Sequence, residues 1–335
     1  MATKRATQRD VARLAGVSQA AVSMVLSGGG SPSITAETWE RITRAAQELG
    51  YAPNRFAQAL KTNKTMTIAC IVPDITNPFY PALMRGVQSV MEGLNYDVIA
   101  LNTDGSRDRE CHFLEWARQG RVDGVIGVFW TLRASEFKPL IDAGVPVVRV
   151  ESSKKVGGAI PIDDIFVDSR AAAYSVTQYL IERGHKRISM IAGQGGPQSA
   201  RIEGYRAALT EAGGEPNMVL DDAFSEAGGS RAVQSILANG YKPTAIFAAN
   251  DLMAIGAMQA LRERGLKIPD DMAVAGFDDI SAANLVTPSL TTVAQFQYEI
   301  GVKAAHILME RLRGSNTSAG TALEMPFSLI ERGST

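Results

Sequence analysis

The spacing of apolar positions changes along this chain. Up to about residue 50 they recur three and four apart, the period of short amphipathic helices. In ATQRDVARLAG, Val11, Leu14 and Ala15 share one face, and Thr7 with Asp10 three residues on forms the pattern of a capping box. Gly16 supplies a turn that calls for positive φ. Ser18 is placed to cap a second helix whose Val22, Val25 and Leu26 face inward. Residues 6–31 therefore read either as a helix-turn-helix or as an ordinary αα-hairpin in a core. GGGSPS (28–33) is a loop, and Thr35 should cap a third helix running to about Leu49 and ended by Gly50. Ile34 and Trp39 either form a hydrophobic staple or leave Trp39 exposed. Ile42, Ala46 and Leu49 would close a small three-helix core. Pro53 then blocks continuation, and Asn54 can cap a two-turn helix from Arg55 to Lys61, marginal in water on its own.

From Met66 continuous apolar runs alternate with amphipathic stretches. MTIACIVP reads as a strand buried on both faces, and DVIALN, DGVIGVF and PVVRVE as further strands, with helices at about Pro81–Leu94 and Arg107–Gln119 between them. The alternation restarts near Ser169: a helix to Arg183, RISMIA, a helix from Arg201, a short strand near Met218, a helix around Ser230–Asn239, TAIFAAN, a helix from Leu252 to Arg264, and MAVAGFD. Such alternation builds parallel, doubly wound sheets, here in two lobes of similar size. The last helix, about Tyr298–Arg313, should return to the first lobe. The expected boundaries are a head at 1–52, a hinge at 53–65, and a body at 66–335. Within the body, lobe 1 takes about 66–165 and 296–322, and lobe 2 about 166–295 and 323–335.

Charge sharpens the first reading. The first 64 residues hold nine basic and four acidic side chains, net +5, in a chain whose total is −1. A basic head on an acidic body suits contact with phosphate at one end only.

The run ATQRDVARLAGVSQAAVSMVL, the later YAPNRFAQALKTNK and the body behind them resemble the lactose/galactose repressor (LacI/GalR) family over essentially the whole chain. The resemblance implies an all-α helix-turn-helix head that binds DNA, with an α/β body like the periplasmic sugar-binding proteins. It also implies a homodimer on double-stranded operator DNA, and a small-molecule effector, usually a carbohydrate. In that setting Gln19 and Ala20, at the start of the second helix, should read bases: Gln19 pairs bidentately with adenine, and Ala20 meets a thymine methyl. Met24 stands where many relatives carry a guanine-reading Arg, so the usual half-site is not implied. Thr7, Ser18 and Ser23 are hydroxyl candidates for phosphate, and Arg55 is a further one. Asn54, Arg55, Ala57 and Leu60 match the hinge, where the leucine wedges into the minor groove.

In open α/β sheets, ligands bind beyond the carboxyl ends of the strands. The residues there are Asp74, Phe79 and Tyr80; Phe129 and Trp130; Glu151; Arg201; Phe224; Asn250 with Asp251; and Asp278. Aromatic faces with carboxylates, amides and one guanidinium suit a sugar. Arg201, Asn250 and Asp278 match effector contacts of the family, Gln295 more weakly. Residue by residue, packing, helix capping, turn formation and a surface ion pair are the ordinary alternatives.

Other chemistry is not indicated. Gly193-Gln-Gly-Gly-Pro lacks the Lys-Ser/Thr of a phosphate loop, and there is no G-x-S-x-G elbow. Asp163-Asp164 and Asp221-Asp222 read as turns or solvated faces rather than a glycosidase pair. Cys70 and Cys111 with scattered His112, His185 and His306 suggest neither a disulfide framework nor a metal site, and no cofactor is implied. No apolar run approaches the roughly 20 residues of a membrane span and no secretory signal is seen, so a cytoplasmic, nucleoid-associated protein with no membrane partner is expected. No leucine heptad closes the chain, which favours a dimer over a tetramer. The leading expectation is a repressor switched by a sugar between the lobes. Control by a protein corepressor or non-sugar ligand, or a sugar-binding module with no regulatory role, are the rivals.

Overall fold

The computed structural model describes residues 6–26, 34–151, 154, 160–221 and 223–335, for 55 and 56 the backbone only. The chain divides into two units, 1–65 and 66–335.

In the first unit, α1 (Gln8–Ala15), α2 (Gln19–Leu26) and α3 (Ala36–Glu48) enclose Val11, Ala12, Ala15, Val22, Val25, Ile42, Ala45 and Ala46. The capping box at Thr7 forms: Asp10 N donates to Thr7 Oγ1 at 3.4 Å, and Thr7 N donates to Asp10 Oδ2 at 3.0 Å. Gly16 ends α1 at φ +65°. Ala21 N donates to Ser18 Oγ at 3.2 Å, and Thr38 N to Thr35 Oγ1 at 3.3 Å. Two leucines depart from the expected core. Leu14 is 47% and Leu49 37% exposed. Short helices crossing closely put small side chains at the contact, so Ala12 and Ala45 sit inside and the leucines lie on the flank. Trp39 is exposed, while Ile34 packs on the core, so no staple joins them. The 28–33 loop lies outside the described residues. After Pro53, α4 spans Arg55–Thr62.

The second unit holds two parallel sheets. Among the described residues the first is ordered β11-β5-β4-β3-β1-β2, from β1 (Thr67–Val72), β2 (Asp97–Asn102), β3 (Gly124–Gly127), β4 (Val147–Glu151), β5 (Asp163–Val167) and β11 (Ala322–Met325). On one face α5 (Phe79–Glu92) and α13 (Gln297–Leu312) cover Ile68, Cys70, Val72 and Ile165. On the other, α6 (Arg107–Trp116) and α7 (Lys138–Asp142) cover Ala69, Ile71, Val125 and Val147. The second sheet is β7-β6-β8-β9, from β6 (Ile188–Ala192), β7 (Asn217–Leu220), β8 (Ala245–Ala248) and β9 (Ala273–Ala275). It lies between α8 (Ser169–Glu182) with α9 (Gln198–Glu211) and α10 (Glu226–Ala238) with α11 (Asp251–Glu263). α12 (Ser281–Leu285) follows, and the strands β10 (Thr292–Ala294) and β12 (Ser328–Ile330) pair antiparallel and pack against α8.

Two expectations need correction. Asp163 and Asp164 are neither a turn nor a solvated face: they open β5, buried. Arg311 holds Asp163 at 2.8 and 2.9 Å, and Arg149 holds Asp164 at 2.8 and 2.9 Å. Burial of both carboxylates is tolerable because each is gripped bidentately by a guanidinium. The final return to the second lobe also comes later than residue 323. β11 still pairs with β5, and the chain crosses between Met325 and Ser328, where Phe327 packs on both cores. Earlier crossings lie between β5 and α8 and between β10 and α13, which returns to the first lobe as expected.

Candidate functional site

In the head, α2 turns Val22 and Val25 inward and Gln19, Ala20 and Met24 outward, with Ser23 half-buried beside them. Met24 is 40% exposed. Thr7 Oγ1 gives its proton to Asp10 Oδ2 at 2.7 Å, which engages that hydroxyl within the head. Ser18 Oγ accepts a backbone N–H and keeps its own proton to donate. On α4, Asn54 O accepts from Gln58 N at 3.1 Å, and Ala57 and Leu60 face solvent. Leu60 is 91% exposed. A leucine in water forgoes about 1.5–3 kcal/mol that burial would give, so this one is either idle or meant for a partner. The Arg55 side chain lies outside the described residues.

The body holds a cavity of about 400 Å³ beyond the carboxyl ends of both sheets. In each sheet strand order reverses there, between β1 and β3 and between β6 and β8, which opens a crevice. Of the twelve body residues singled out above, eleven line it; Asp251 does not. From the first lobe come Asp74, Phe79, Tyr80, Trp130 and Glu151. Phe79 and Tyr80 meet edge to face, centroids 5.2 Å apart. Burial, with Asp278 nearby, pushes the Tyr80 hydroxyl up, so it stays a donor. Glu151 sits 3.5 Å from Arg149, the residue that also grips Asp164.

From the second lobe come Arg201, Phe224, Asn250, Asp278 and Gln295. Arg201 is 4% exposed, so it is no surface ion pair. Its guanidinium lies 3.8 Å over the Phe277 ring, donates to Ala249 O, and approaches Asp278 Oδ1 at 3.6 Å. Burial lowers its pKa against the pull of Asp278. Asp278 is pushed up to about 8, first by burial and further by the Asp251 charge, against Arg201 and the Gln295 amide. Asn250 both lines the cavity and caps α11: its Oδ1 accepts from Met253 N at 2.8 Å, and its Nδ2 donates to Phe224 O at 3.2 Å. Asp251 turns away into the core, taking Thr292 Oγ1 at 2.5 Å and Ile280 N at 2.9 Å, and burial raises it to about 6.

Three buried polar atoms on this cavity have no hydrogen-bond partner of ordinary geometry among the described residues: Arg201 Nε, Trp130 Nε1 and Ser169 Oγ. Leaving such groups unpaired costs about 1–3 kcal/mol each.

Comparison with known proteins decides what this pairing of head and cavity belongs to. Residues 7–54 match the family described as bacterial regulatory proteins, lacI family, and residues 177–335 match the periplasmic binding protein-like domain. The ribose operon repressor of Escherichia coli K12 is 38% identical over 338 residues, 98% of this chain and 99% of that protein. The chain belongs to the LacI family. A LacI-family transcriptional regulator from Enterococcus faecium, solved with bound ribose, is 29% identical with a TM-score of 0.72, covering 80% of this chain and 98% of that one. The Lac repressor dimer bound to operator and an anti-inducer is 26% identical with a TM-score of 0.85, covering 99% of both chains. This LacI-family protein is thus a DNA-binding transcriptional regulator, and the relative and the two structures named here are repressors or regulators, not enzymes. Among the described residues, no helix is long and apolar enough to cross a membrane.

Sequence reasoning missed Asn77, Asp104 and Ser169 on the cavity wall. Asn77 Oδ1 accepts from Phe79 N at 3.1 Å and sets the start of α5. Ser169 follows β5, and β5 was hidden because its first two residues are aspartates.

Proposed function

We propose that this LacI-family regulator is a repressor that binds its operator as a homodimer and changes operator affinity when a sugar occupies the body cavity. The observation that carries the sugar reading is the mixture of groups in one cleft. Asp74 and Glu151 accept hydrogen bonds, Arg201 Nε and Trp130 Nε1 can only donate, and Asp278 sits near its titration point and can do either. Each hydroxyl of a sugar donates and accepts at once, which satisfies both kinds. Phe79, Tyr80 and Phe224 offer ring faces to its C–H surface. The ribose held by the Enterococcus neighbour and the ribose operon repressor support this class, with ribose as the first ligand to try.

In the head, Gln19 and Ala20 read base edges, with Met24 beside them; Ser18, Ser23, Thr7 and Arg55 meet phosphate. Asn54, Ala57 and Leu60 belong to the hinge, and Leu60 is the minor-groove wedge. The hinge leads directly into β1 of the first lobe. Lobe rotation on ligand binding alters the separation of the two hinge segments of a dimer, so the short α4 is ordered in one state and lost in the other. The dimer reading draws on the Lac repressor dimer and on two exposed apolar side chains of the body, Ile99 on the edge strand β2 and Leu285 on α12, 39% and 79% exposed.

Fluorescence anisotropy of labelled upstream DNA, at two salt concentrations and with a monosaccharide panel, tests the whole. Salt-sensitive binding that one sugar weakens is the expected result. DNA binding indifferent to every sugar assigns the cavity to another ligand class, and no DNA binding at either salt overturns the assignment of the head.

A further inference from the structure

Trp130 belongs to the first lobe by its backbone and to the second by its ring. Glu110, fully buried on α6, accepts from Trp130 N at 2.8 Å, Thr131 N at 3.1 Å and Thr131 Oγ1 at 2.5 Å. Three hydrogen bonds to one carboxylate pin the loop after β3, and the indole projects from that anchor. Its ring reaches Phe224 of the second lobe, centroids 5.5 Å apart. Glycines from opposite lobes flank it. A Cβ on Gly105, in the loop after β2, would stand 2.5 Å from the ring, and one on Gly196, in the loop after β6, 2.7 Å. Both glycines have left-handed φ, +63° and +67°, so an added side chain would be both crowded and strained. The neighbouring Asp104 and Gln194 are exposed, which sets this stack at the cavity rim.

We propose that Trp130 is the closing residue of the cavity, a plate rooted in the first lobe that seats on Gly196 of the second, and that it thereby sets the largest ligand the closed cavity can hold. The proposal rests on the reading of the cavity as a ligand site. Seating the indole completes a wall that neither lobe builds alone. Ligand exchange requires the ring to leave Gly196, and a ligand that protrudes past the ring plane prevents it from seating. Gly105 and Gly196 are the notches that let a ring of this size lie flat between two backbones.

The test uses the full chain with Trp39→Phe and Trp116→Phe, which leaves Trp130 as the single indole emitter of three. Acrylamide quenching of Trp130 is expected several-fold weaker than that of free N-acetyltryptophanamide. Gly196→Ala, which obstructs the seat, should at least double it with unchanged circular dichroism. Quenching equal to the free indole in both proteins overturns the proposal. A second arm titrates D-ribose, D-glucose, D-galactose and cellobiose into the native chain and into Trp130→Ala and Trp130→Phe. Monosaccharide affinity should fall ten-fold or more in the alanine variant and less in the phenylalanine variant, and discrimination against cellobiose should shrink. Equal affinities in all three proteins overturn the proposal. If no sugar binds the native chain while the quenching result holds, the sugar reading fails and the closing role stands.

Discussion

Gln295 donates its side-chain amide to Asp278 Oδ1 at 2.6 Å, two residues before α13 carries the chain back to the first lobe. The same oxygen faces Arg201 at 3.6 Å. On the proposed function, a ligand that hydrogen-bonds to Asp278 would be one side chain, Gln295, away from an inter-lobe crossing, a short route from occupancy of the cavity to lobe angle.

Asp278 also makes the ligand-free protein sensitive to pH. Its carboxyl is raised to about 8 in the folded chain, against roughly 4 in an unfolded one. Between those values the folded chain keeps a proton that the unfolded chain has released, so stability falls as pH rises across that window. Asp278→Asn should flatten the dependence and raise the melting temperature near the upper end, while weakening sugar binding ten-fold or more. Thermal unfolding followed across this pH range, with a sugar titration, checks both.

Leu60→Ala should weaken specific operator binding at least ten-fold and leave sugar affinity unchanged, because the removed side chain is almost wholly solvent-exposed in the free protein. Operator affinity that stays at the native value would remove the wedge role from Leu60.

Gln19→Ala should cost about 1–3 kcal/mol of preference for the native operator over a sequence changed at one base pair. The salt slope of binding should not move, since an amide neutralises no phosphate. Anisotropy on the two DNAs over a salt series separates these effects; a changed slope with intact preference would move Gln19 from base to backbone contact.

Arg149→Met strips the buried Asp164 of its bidentate partner and should cost about 3–5 kcal/mol of stability. Adding Asp164→Leu should restore most of it, because the penalty is an unpaired buried charge rather than lost packing. Denaturant unfolding of the single and double variants measures both steps.

The elements with one clear period were legible from the residues alone. Thr7 with Asp10, Gly16, Ser18 and Thr35 announced the head helices through capping chemistry, and the continuous apolar runs announced β1, β2, β3 and β4. Ten of the eleven named cavity residues were reached through strand ends, some of them strengthened by family resemblance, and Gln295 through the resemblance alone. What escaped was whatever long-range pairing decides. β5 begins with two aspartates whose arginine partners are 148 and 15 residues away in sequence. With β5 unseen, Ser169 was read as the start of a helix and not as a cavity residue. β11 shows a leucine and a methionine among exposed neighbours, a pattern that reads as strand only beside β5. In the head, the choice between Leu14 and Ala12 is made by how closely two helices cross, which periodicity does not register.

The crossing at Phe327 lies between the other two. On the first-lobe side β11 is tied to β5, and on the second-lobe side β12 is tied to β10. The three passages are thus laced into a ribbon rather than left as separate strings. A ribbon folds readily about one line and resists skewing, a pattern that favours a single soft direction of travel for the lobes. Under the proposed function, ligands of different shape would then set how far the body moves along that direction, not which way it moves, and chemically different sugars would be read out by one mechanical variable.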